Sequence, residues 1–284
     1  MSSFNLPRLM VEPLVRNALL EDLGLAGDVT SNAVITPDHC CKVVMAVRQD
    51  GVVAGLDVAA LAFHLVDPEI RFEAHVRDGE KAAAGTVLAT MTGRSRALLT
   101  AERVALNFLG HLSGIATITG QVVQAVAHTK AAVVCTRKTT PGLRALEKYA
   151  VRMGGGMNHR FALCDAVLIK DNHIAIAGGV KEALRRAKAN AGHMLKIEVE
   201  VDRFDQLREA MEEGADAVLL DNMTPAQLRE AVDFIAGRAI AEASGGITLA
   251  NAAAVAESGV DLLSMGWLTH SAPVLDIGLD FEAM

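Results

Sequence analysis

Six repeats of a short apolar run followed by a polar turn and, in most cases, a helical pattern constrain the fold more than any other feature of the sequence. The runs cover residues 131–135, 166–169, 195–199, 217–220, 239–243 and 262–265, and helical periodicity marks residues 181–190, 203–213, 226–235 and 249–257. Buried-type strands alternating with helices predict a parallel sheet, either closed as an α/β barrel or open and doubly wound. Helix starts are expected at Thr140-Pro141, Thr224-Pro225 and Thr248, and helix stops at Gly214 and Gly259.

All six apolar runs end in polar or glycine-rich residues. These are Thr136-Arg137-Lys138, Lys170–His173, Glu200, Asp221-Asn222, Ser244-Gly245-Gly246 and Gly266. In a barrel, the loops that follow the strands meet at one mouth, where active sites lie. An open sheet gathers its chemistry chiefly at one switch point. The spread of polar residues over all six ends therefore favours a barrel with an active site at its mouth.

The first part of the chain has a different pattern. Strands are predicted at residues 42–47, 70–76 and 87–91, and helices at 55–66 and 98–109. We therefore expect an N-terminal α+β domain at residues 1–112 and an α/β barrel at 113–270. The C-terminal segment 271–284 is expected to pack back on the N-terminal domain. A chain of 284 residues is long enough for this arrangement.

Bulk properties exclude several functional classes. The net charge of −7 argues against a general nucleic-acid or membrane surface. No apolar run approaches the roughly 20 residues that span a bilayer, and the start lacks the pattern of a secretory signal, so a cytoplasmic location is expected. The four cysteines, which form no C-x-x-C pair, argue against the common zinc and redox motifs. Cys135 is predicted to be a small core residue.

A cluster of basic residues follows the first two barrel strands. Between residues 137 and 170 seven basic residues accompany only two acidic ones: Arg137, Lys138, Arg144, Lys148, Arg152, Arg160 and Lys170 against Glu147 and Asp165. Such a cluster in an acidic chain indicates an anionic ligand, for which arginine offers paired donors and lysine a point charge. A solvated helix face accounts for Lys148 and Arg152, but not for cations placed directly after strands. Lys170 has an alternative role as a Schiff-base lysine.

Glycines and carboxylates follow the remaining strands. Ser244-Gly245-Gly246 and Gly266 allow backbone N–H groups to approach a phosphate, and they follow the last two strands, where barrel phosphate sites often lie. Glu200 and Asp221 end neighbouring strands. They could act as a general acid and base, or they could hold, indirectly, a divalent cation such as Mg²⁺ or sugar hydroxyls.

Several motifs in one order resemble the quinolinate phosphoribosyltransferase family. They are TRKTTPGLR from Thr136, GGGMNHR from Gly154, LIKDNH from Leu168, EVE from Glu198, LDN from Leu220, EASGGI from Glu242 and LTHS from Leu268. The similarity runs almost from end to end. It implies an N-terminal α/β domain, an incomplete parallel α/β barrel and a homodimer. The implied reaction joins quinolinate and 5-phosphoribosyl-1-pyrophosphate into nicotinate mononucleotide, with release of pyrophosphate and CO₂.

The resemblance also assigns roles to individual residues. It implies that quinolinate and the pyrophosphate side are held by Arg137, Lys138, His159, Arg160 and Lys170. Glu200 and Asp221 would hold ribose hydroxyls and, indirectly through substrate and water, Mg²⁺. The 5-phosphate would be held by Ser244, Gly245, Gly246 and Gly266. Thr136, Met265 and Trp267 complete the binding set, and Lys138, Lys170, Glu200 and Asp221 form the catalytic set. Arg103 is expected to reach quinolinate in the partner subunit's site.

Two alternatives to the transferase stay open. One is a barrel lyase or aldolase that uses Lys170. The other is an oxyanion-binding relative associated with molybdenum transport. That group shares the Thr-Arg-Lys and His-Arg motifs, and the run Lys170–His173 favours the transferase over it. One departure from the family pattern is Trp267, a bulky residue where a small one is common.

Overall fold

The computed structural model describes residues 6–282, which form two compact units. One unit comprises the chain up to Gly120, Thr139–Gly155 and the chain from Leu268, and the other comprises Gln121–Lys138 and Gly156–Trp267. The elements in chain order are α1 (Arg8–Leu23), α2 (Val29–Val34), β1 (Cys40–Val47), β2 (Gly51–Val52), α3 (Leu56–Val66), β3 (Arg71–Ala74), β4 (Lys81–Ala82), β5 (Val87–Arg94), α4 (Ser95–Val126), β6 (Ala132–Val134), α5 (Arg144–Met153), β7 (Val167–Ile169), α6 (Asp171–Ala177), α7 (Val180–Asn190), β8 (Ile197–Val201), α8 (Phe204–Glu212), β9 (Ala217–Asp221), α9 (Pro225–Ile235), β10 (Ile240–Ser244), α10 (Ala252–Ala256), β11 (Leu262–Ser264), α11 (Trp267–His270) and β12 (Ile277–Glu282). The boundary predicted at residue 112 falls inside α4.

The first unit is built on an antiparallel sheet with the strand order β12-β1-β5-β3, beside a two-stranded sheet of β2 and β4. Alternate residues of β1, among them Cys41, Val43 and Met45, are buried, as expected for a strand with one face on a core. The C-terminal strand β12 pairs with β1 along its whole length. The small α+β domain expected from the sequence is therefore present.

Helix α5 carries two charged side chains that are fully buried in the first unit. Glu147 and Lys148 are both 0% exposed. The Glu147 carboxylate lies 2.9 Å from His111 Nε2 and accepts the Thr140 N–H at 3.0 Å. The interpretation of this stretch as a solvated helix face was wrong for Lys148 and holds only for Arg152. Buried charges persist only where they have partners, and sequence periodicity alone does not reveal those partners.

The second unit is a parallel sheet with the strand order β6-β11-β10-β9-β8-β7. From β7 to β11 each strand pairs with the next one in the chain, and the last, β11, pairs with the first, β6. Within residues 6–282 the circle stays open between β6 and β7. This order confirms the incomplete parallel α/β barrel, since a doubly wound sheet reverses its strand order at a switch point.

Several element boundaries differ from the prediction. Strand β8 begins at Ile197 rather than at residue 195, because Leu195 still belongs to a turn and donates its N–H to the Gly192 carbonyl. Glu200 consequently lies within the strand. Thr224 is the N-cap of α9, as predicted, whereas α5 begins three residues after Pro141 and α10 is shorter than the predicted helix at 249–257.

None of the described helices combines the length and the apolar character that a membrane crossing requires.

Candidate active site

Two arginines form the cationic side of the barrel mouth. Arg137 follows β6, and Arg160 follows the Gly154-Gly155-Gly156 turn and donates from its guanidinium to the Ala166 carbonyl at 3.0 Å. Burial lowers the pKa of Arg160, and the positive charge of Arg137 lowers it further. Within the described residues, the Nε atoms of both side chains are buried without a hydrogen-bond partner. Two close guanidinium groups with unused donors are suited to binding an anion.

His159 links Arg160 to two buried carboxylates. Its Nδ1 accepts the Arg160 N–H at 2.8 Å, so Nε2 carries the proton and donates to Glu198 at 2.9 Å. Glu242 lies 3.8 Å from the same Nε2. Burial, followed by repulsion from Glu198, raises the pKa of Glu242 to about 7. The three groups offer atoms within 4.8 Å of one another, which is also the spacing of a metal site.

The carboxylate side of the mouth consists of Glu200 on β8 and Asp221 at the end of β9. Lys170 Nζ lies 3.4 Å from Glu200 Oε2. Burial raises the pKa of Glu200, with a further contribution from Asp221, while Lys170 opposes the shift. Burial also raises the pKa of Asp221, against the hydrogen bond from Asn222 and the charges of Lys170 and Lys138. Two desolvated carboxylates therefore stand among lysines.

The glycine turn after β10 is held by side chains on both sides. Gly245 and Gly246 have φ values of 87° and 61°, which few residues other than glycine adopt. The Asn251 side-chain amide donates to the Gly246 carbonyl at 3.0 Å. The indole N–H of Trp267 donates to the Ile247 carbonyl at 2.7 Å. The bulky residue that departs from the family pattern thus ties the loop after β11 to the loop after β10.

Gly266 packs directly against the side chain of Lys138. A Cβ at Gly266 would lie 2.7 Å from Lys138 Cδ and 3.3 Å from Thr136 Oγ1. Thr136 Oγ1 in turn accepts the Lys138 N–H at 3.0 Å. The preceding residue, Met265, has a buried side chain and donates its N–H to the Val134 carbonyl.

All the predicted site residues except one lie in the second unit, at or just beyond the carboxyl ends of its strands or in the loop between β6 and β7. The exception is Arg103, on α4 in the first unit, whose side chain is 64% exposed and lies 4.0 Å from Glu102. Sequence reasoning missed the contribution of Glu242 and of Asn222. A signal for Glu242 existed, because it precedes Ser244 by two residues and so shares its face of the strand.

Fold and site together define an α/β-barrel enzyme for substrates with several negative charges. The quinolinate phosphoribosyl transferase C-terminal domain matches residues 115–280, and the N-terminal domain of the same family matches residues 28–113. The chain belongs to the quinolinate phosphoribosyltransferase family, as its motifs predicted.

Individual relatives agree with this assignment. A nicotinate-nucleotide pyrophosphorylase [carboxylating] of Mycobacterium leprae is 47% identical over 271 residues, covering 94% of this chain and 95% of the relative. A probable enzyme of the same name from Bacillus subtilis is 43% identical and covers 96% and 93%. The solved structure of nicotinate-nucleotide pyrophosphorylase from Francisella tularensis superposes with a TM-score of 0.94 at 37% identity and covers 98% of each chain.

Proposed function

We propose that this protein transfers the phosphoribosyl group of 5-phosphoribosyl-1-pyrophosphate to quinolinate with decarboxylation, giving nicotinate mononucleotide, pyrophosphate and CO₂. The observation that carries the proposal is the pair Arg137 and Arg160, which present buried, unpartnered Nε donors at the mouth of the barrel. The names of the relatives, pyrophosphorylase and carboxylating, describe the same chemistry. The product places the enzyme in NAD biosynthesis.

The arginine pair suits quinolinate because this substrate carries two adjacent carboxylates on a flat ring. Guanidinium groups bind carboxylates through two parallel hydrogen bonds, which fixes both the position and the plane of the ring. Attack by the ring nitrogen on the sugar needs mainly such orientation. His159, held by Glu198 on one side and the Arg160 N–H on the other, keeps Arg160 in place.

The remaining groups suit the phosphoribosyl donor. The turn Ser244–Gly246 and Gly266 would hold the 5-phosphate through backbone N–H groups. Departure of pyrophosphate leaves positive charge at the anomeric carbon, and Glu200 and Asp221 would stabilise that charge while they bind the ribose hydroxyls. Lys138 and Lys170 would stabilise the charge that develops on the departing pyrophosphate.

Mg²⁺ fits the carboxylate side of this site. Glu200 and Asp221 are both desolvated and repel each other, so a cation between them and the donor's oxygens relieves an existing strain. These two residues would hold the ion, directly or through water and substrate. When bound, Mg²⁺ would neutralise charge on the pyrophosphate leaving group.

We further propose that the active form is a homodimer with shared sites. Arg103 lies on the first unit with an exposed side chain, available to a second copy of the chain. The same unit exposes large apolar side chains, among them Leu9, Leu20 and Leu25, which is typical of an association surface. We expect no nucleic-acid or membrane partner, in keeping with the net charge of −7.

The decisive assay supplies purified protein with quinolinate, 5-phosphoribosyl-1-pyrophosphate and Mg²⁺, and follows nicotinate mononucleotide and CO₂. We expect turnover that EDTA abolishes and added Mg²⁺ restores. Folded protein without turnover would refute the proposal and favour the oxyanion-binding relative. A lyase that uses Lys170 would instead be trapped on its substrate by borohydride. The pairing of Lys170 with Glu200, and its 48% exposure, differ from the apolar setting of a Schiff-base lysine.

A further inference from the structure

Asn222 has an unusual backbone conformation directly after Asp221. Its φ is 56°, and only one other non-glycine residue within residues 6–282, Ala236, also has a positive φ. Left-handed backbone is unfavourable for residues with a Cβ, although asparagine tolerates it better than most. Such conformations persist where the surroundings impose them, and they concentrate at functional sites.

Asn222 forms hydrogen bonds with two neighbouring parts of the site, Asp221 at the end of β9 and Ser244 at the end of β10. Its side-chain Nδ2 donates to Asp221 Oδ2 at 2.6 Å, and its backbone N–H donates to the Ser244 carbonyl at 2.9 Å. The first bond fixes the carboxylate at the end of β9. The second ties that strand end to the residue that opens the glycine turn after β10.

The side chain of Asn222 also packs closely against that turn. A Cβ on Gly245 would lie 2.6 Å from Asn222 Cγ and 2.9 Å from its backbone nitrogen. Real Cβ atoms do not approach other heavy atoms this closely, so the asparagine occupies the space that any larger residue at position 245 would need. The Asp221 carboxylate and the glycine turn are therefore both in contact with Asn222.

We propose that Asn222 is a positioning residue that holds the Asp221 carboxylate and the Ser244–Gly246 turn in register for the phosphoribosyl donor. This inference rests on the proposed function, because that function assigns the ribose hydroxyls to Asp221 and the 5-phosphate to the turn. Quinolinate is assigned to the opposite, arginine side of the mouth. Loss of the Asn222 amide should consequently affect the donor and leave the affinity for quinolinate almost unchanged.

The variant Asn222→Gly tests the contribution of the side-chain amide separately from that of the left-handed backbone conformation. Glycine adopts the left-handed conformation without strain, which offsets the lost side-chain contacts, so the thermal midpoint should stay close to that of the wild type. The kcat/KM for 5-phosphoribosyl-1-pyrophosphate should fall by about 10- to 100-fold, the usual effect of losing a group that orients a site carboxylate. The KM for quinolinate should stay within about twofold, as expected for a group that does not contact it.

A second variant, Asn222→Asp, tests the donor itself. Aspartate keeps the size of the side chain and the tolerance for left-handed backbone, but ionised it offers no hydrogen to Asp221. We expect it to lose at least as much activity as the glycine variant. The matched control is Ala236→Gly, the same relief of a positive φ at the C-cap of α9, which should leave both substrates unaffected.

Calorimetric titration of each variant with 5-phosphoribosyl-1-pyrophosphate and Mg²⁺ gives a reading that does not depend on turnover. Weaker donor binding by both Asn222 variants supports the inference. Wild-type binding and kcat/KM in either Asn222 variant overturn it and leave the proposed function intact. A wild-type protein that binds no donor and forms no product removes the proposed function and the inference with it, and the two failures are thereby distinguished.

Discussion

Glu242, buried beside Glu198, should make the stability of this protein depend on pH in a direction opposite to that of most carboxylates. Glu242 on β10 is 1% exposed and Glu198 on β8 is 8% exposed, and His159 Nε2 lies 2.9 Å from Glu198 and 3.8 Å from Glu242. Burial, with repulsion from Glu198, raises the pKa of Glu242 from its ordinary 4.5 to about 7. The informative perturbation is Glu242→Gln, which keeps the shape of the neutral acid at every pH.

The direction of this pH dependence follows from the linkage between proton binding and folding. A carboxyl whose pKa is raised by folding binds a proton more tightly in the folded state, so the folded state is favoured at low pH and loses stability as pH rises through the folded pKa. With pKa values of 4.5 unfolded and about 7 folded, the loss between about pH 5 and pH 8 is on the order of 2–3 kcal/mol. For a chain of this size that corresponds to a fall of about 3–5 °C in thermal midpoint.

The assay is thermal unfolding of the wild type and of Glu242→Gln across that pH range, at constant ionic strength. We expect the wild-type midpoint to fall relative to that of the variant as pH rises, with the two closest at the acid end. Glu230→Gln, on an exposed position of α9, is the matched control and should follow the wild type. If the curves of the wild type and Glu242→Gln run parallel, Glu242 is not held neutral by its surroundings and the reasoning fails.

Three further outcomes are expected. Gly266→Ala should keep the fold but lower kcat at least about tenfold, because the added Cβ displaces Lys138, and a variant with wild-type kcat and normal folding by circular dichroism would contradict this. Arg103→Ala and Lys138→Ala should each be inactive, and mixing them should restore part of the activity if sites are shared between subunits; a mixture as inactive as its components would argue against sharing. Glu147→Ala should lower the free energy of unfolding, measured by urea titration, by about 3 kcal/mol or more, because it leaves His111 and the Thr140 N–H without their buried partner. A loss below about 1 kcal/mol would be inconsistent with that role.

The sequence was sufficient for the barrel and for the position of most candidate site residues at its mouth. Apolar runs of strand length that alternate with helices predict parallel strands lying side by side, and polar groups after all of the strands favour a barrel in which these groups meet at one mouth. That pattern correctly placed Lys170, Asp221 and Ser244 at strand ends. The pattern also distinguished the arginine-bearing loops of the mouth from the glycine-bearing loops, because residues that are near in sequence share a loop.

Other features depended on contacts between residues far apart in sequence. The periodicity of α5 gave no sign that Lys148 is fully buried, because burial depends on what packs against the helix. The raised pKa of Glu242 requires Glu198, 44 residues earlier in the chain, to lie beside it across the sheet.

Two glycine residues show most clearly what the sequence reveals and what only the tertiary structure reveals. From the sequence, Gly245 and Gly266 could be recognised as points where a backbone can approach a phosphate. Only the tertiary structure shows that Gly245 must leave room for Asn222, and Gly266 for Lys138. Local sequence determines which conformations a residue can adopt, but the side chain that occupies the space beside it comes from another strand end. The sequence alone therefore determined the chemical groups at the mouth of the barrel, and the packing of neighbouring strands decided how rigidly each group is held.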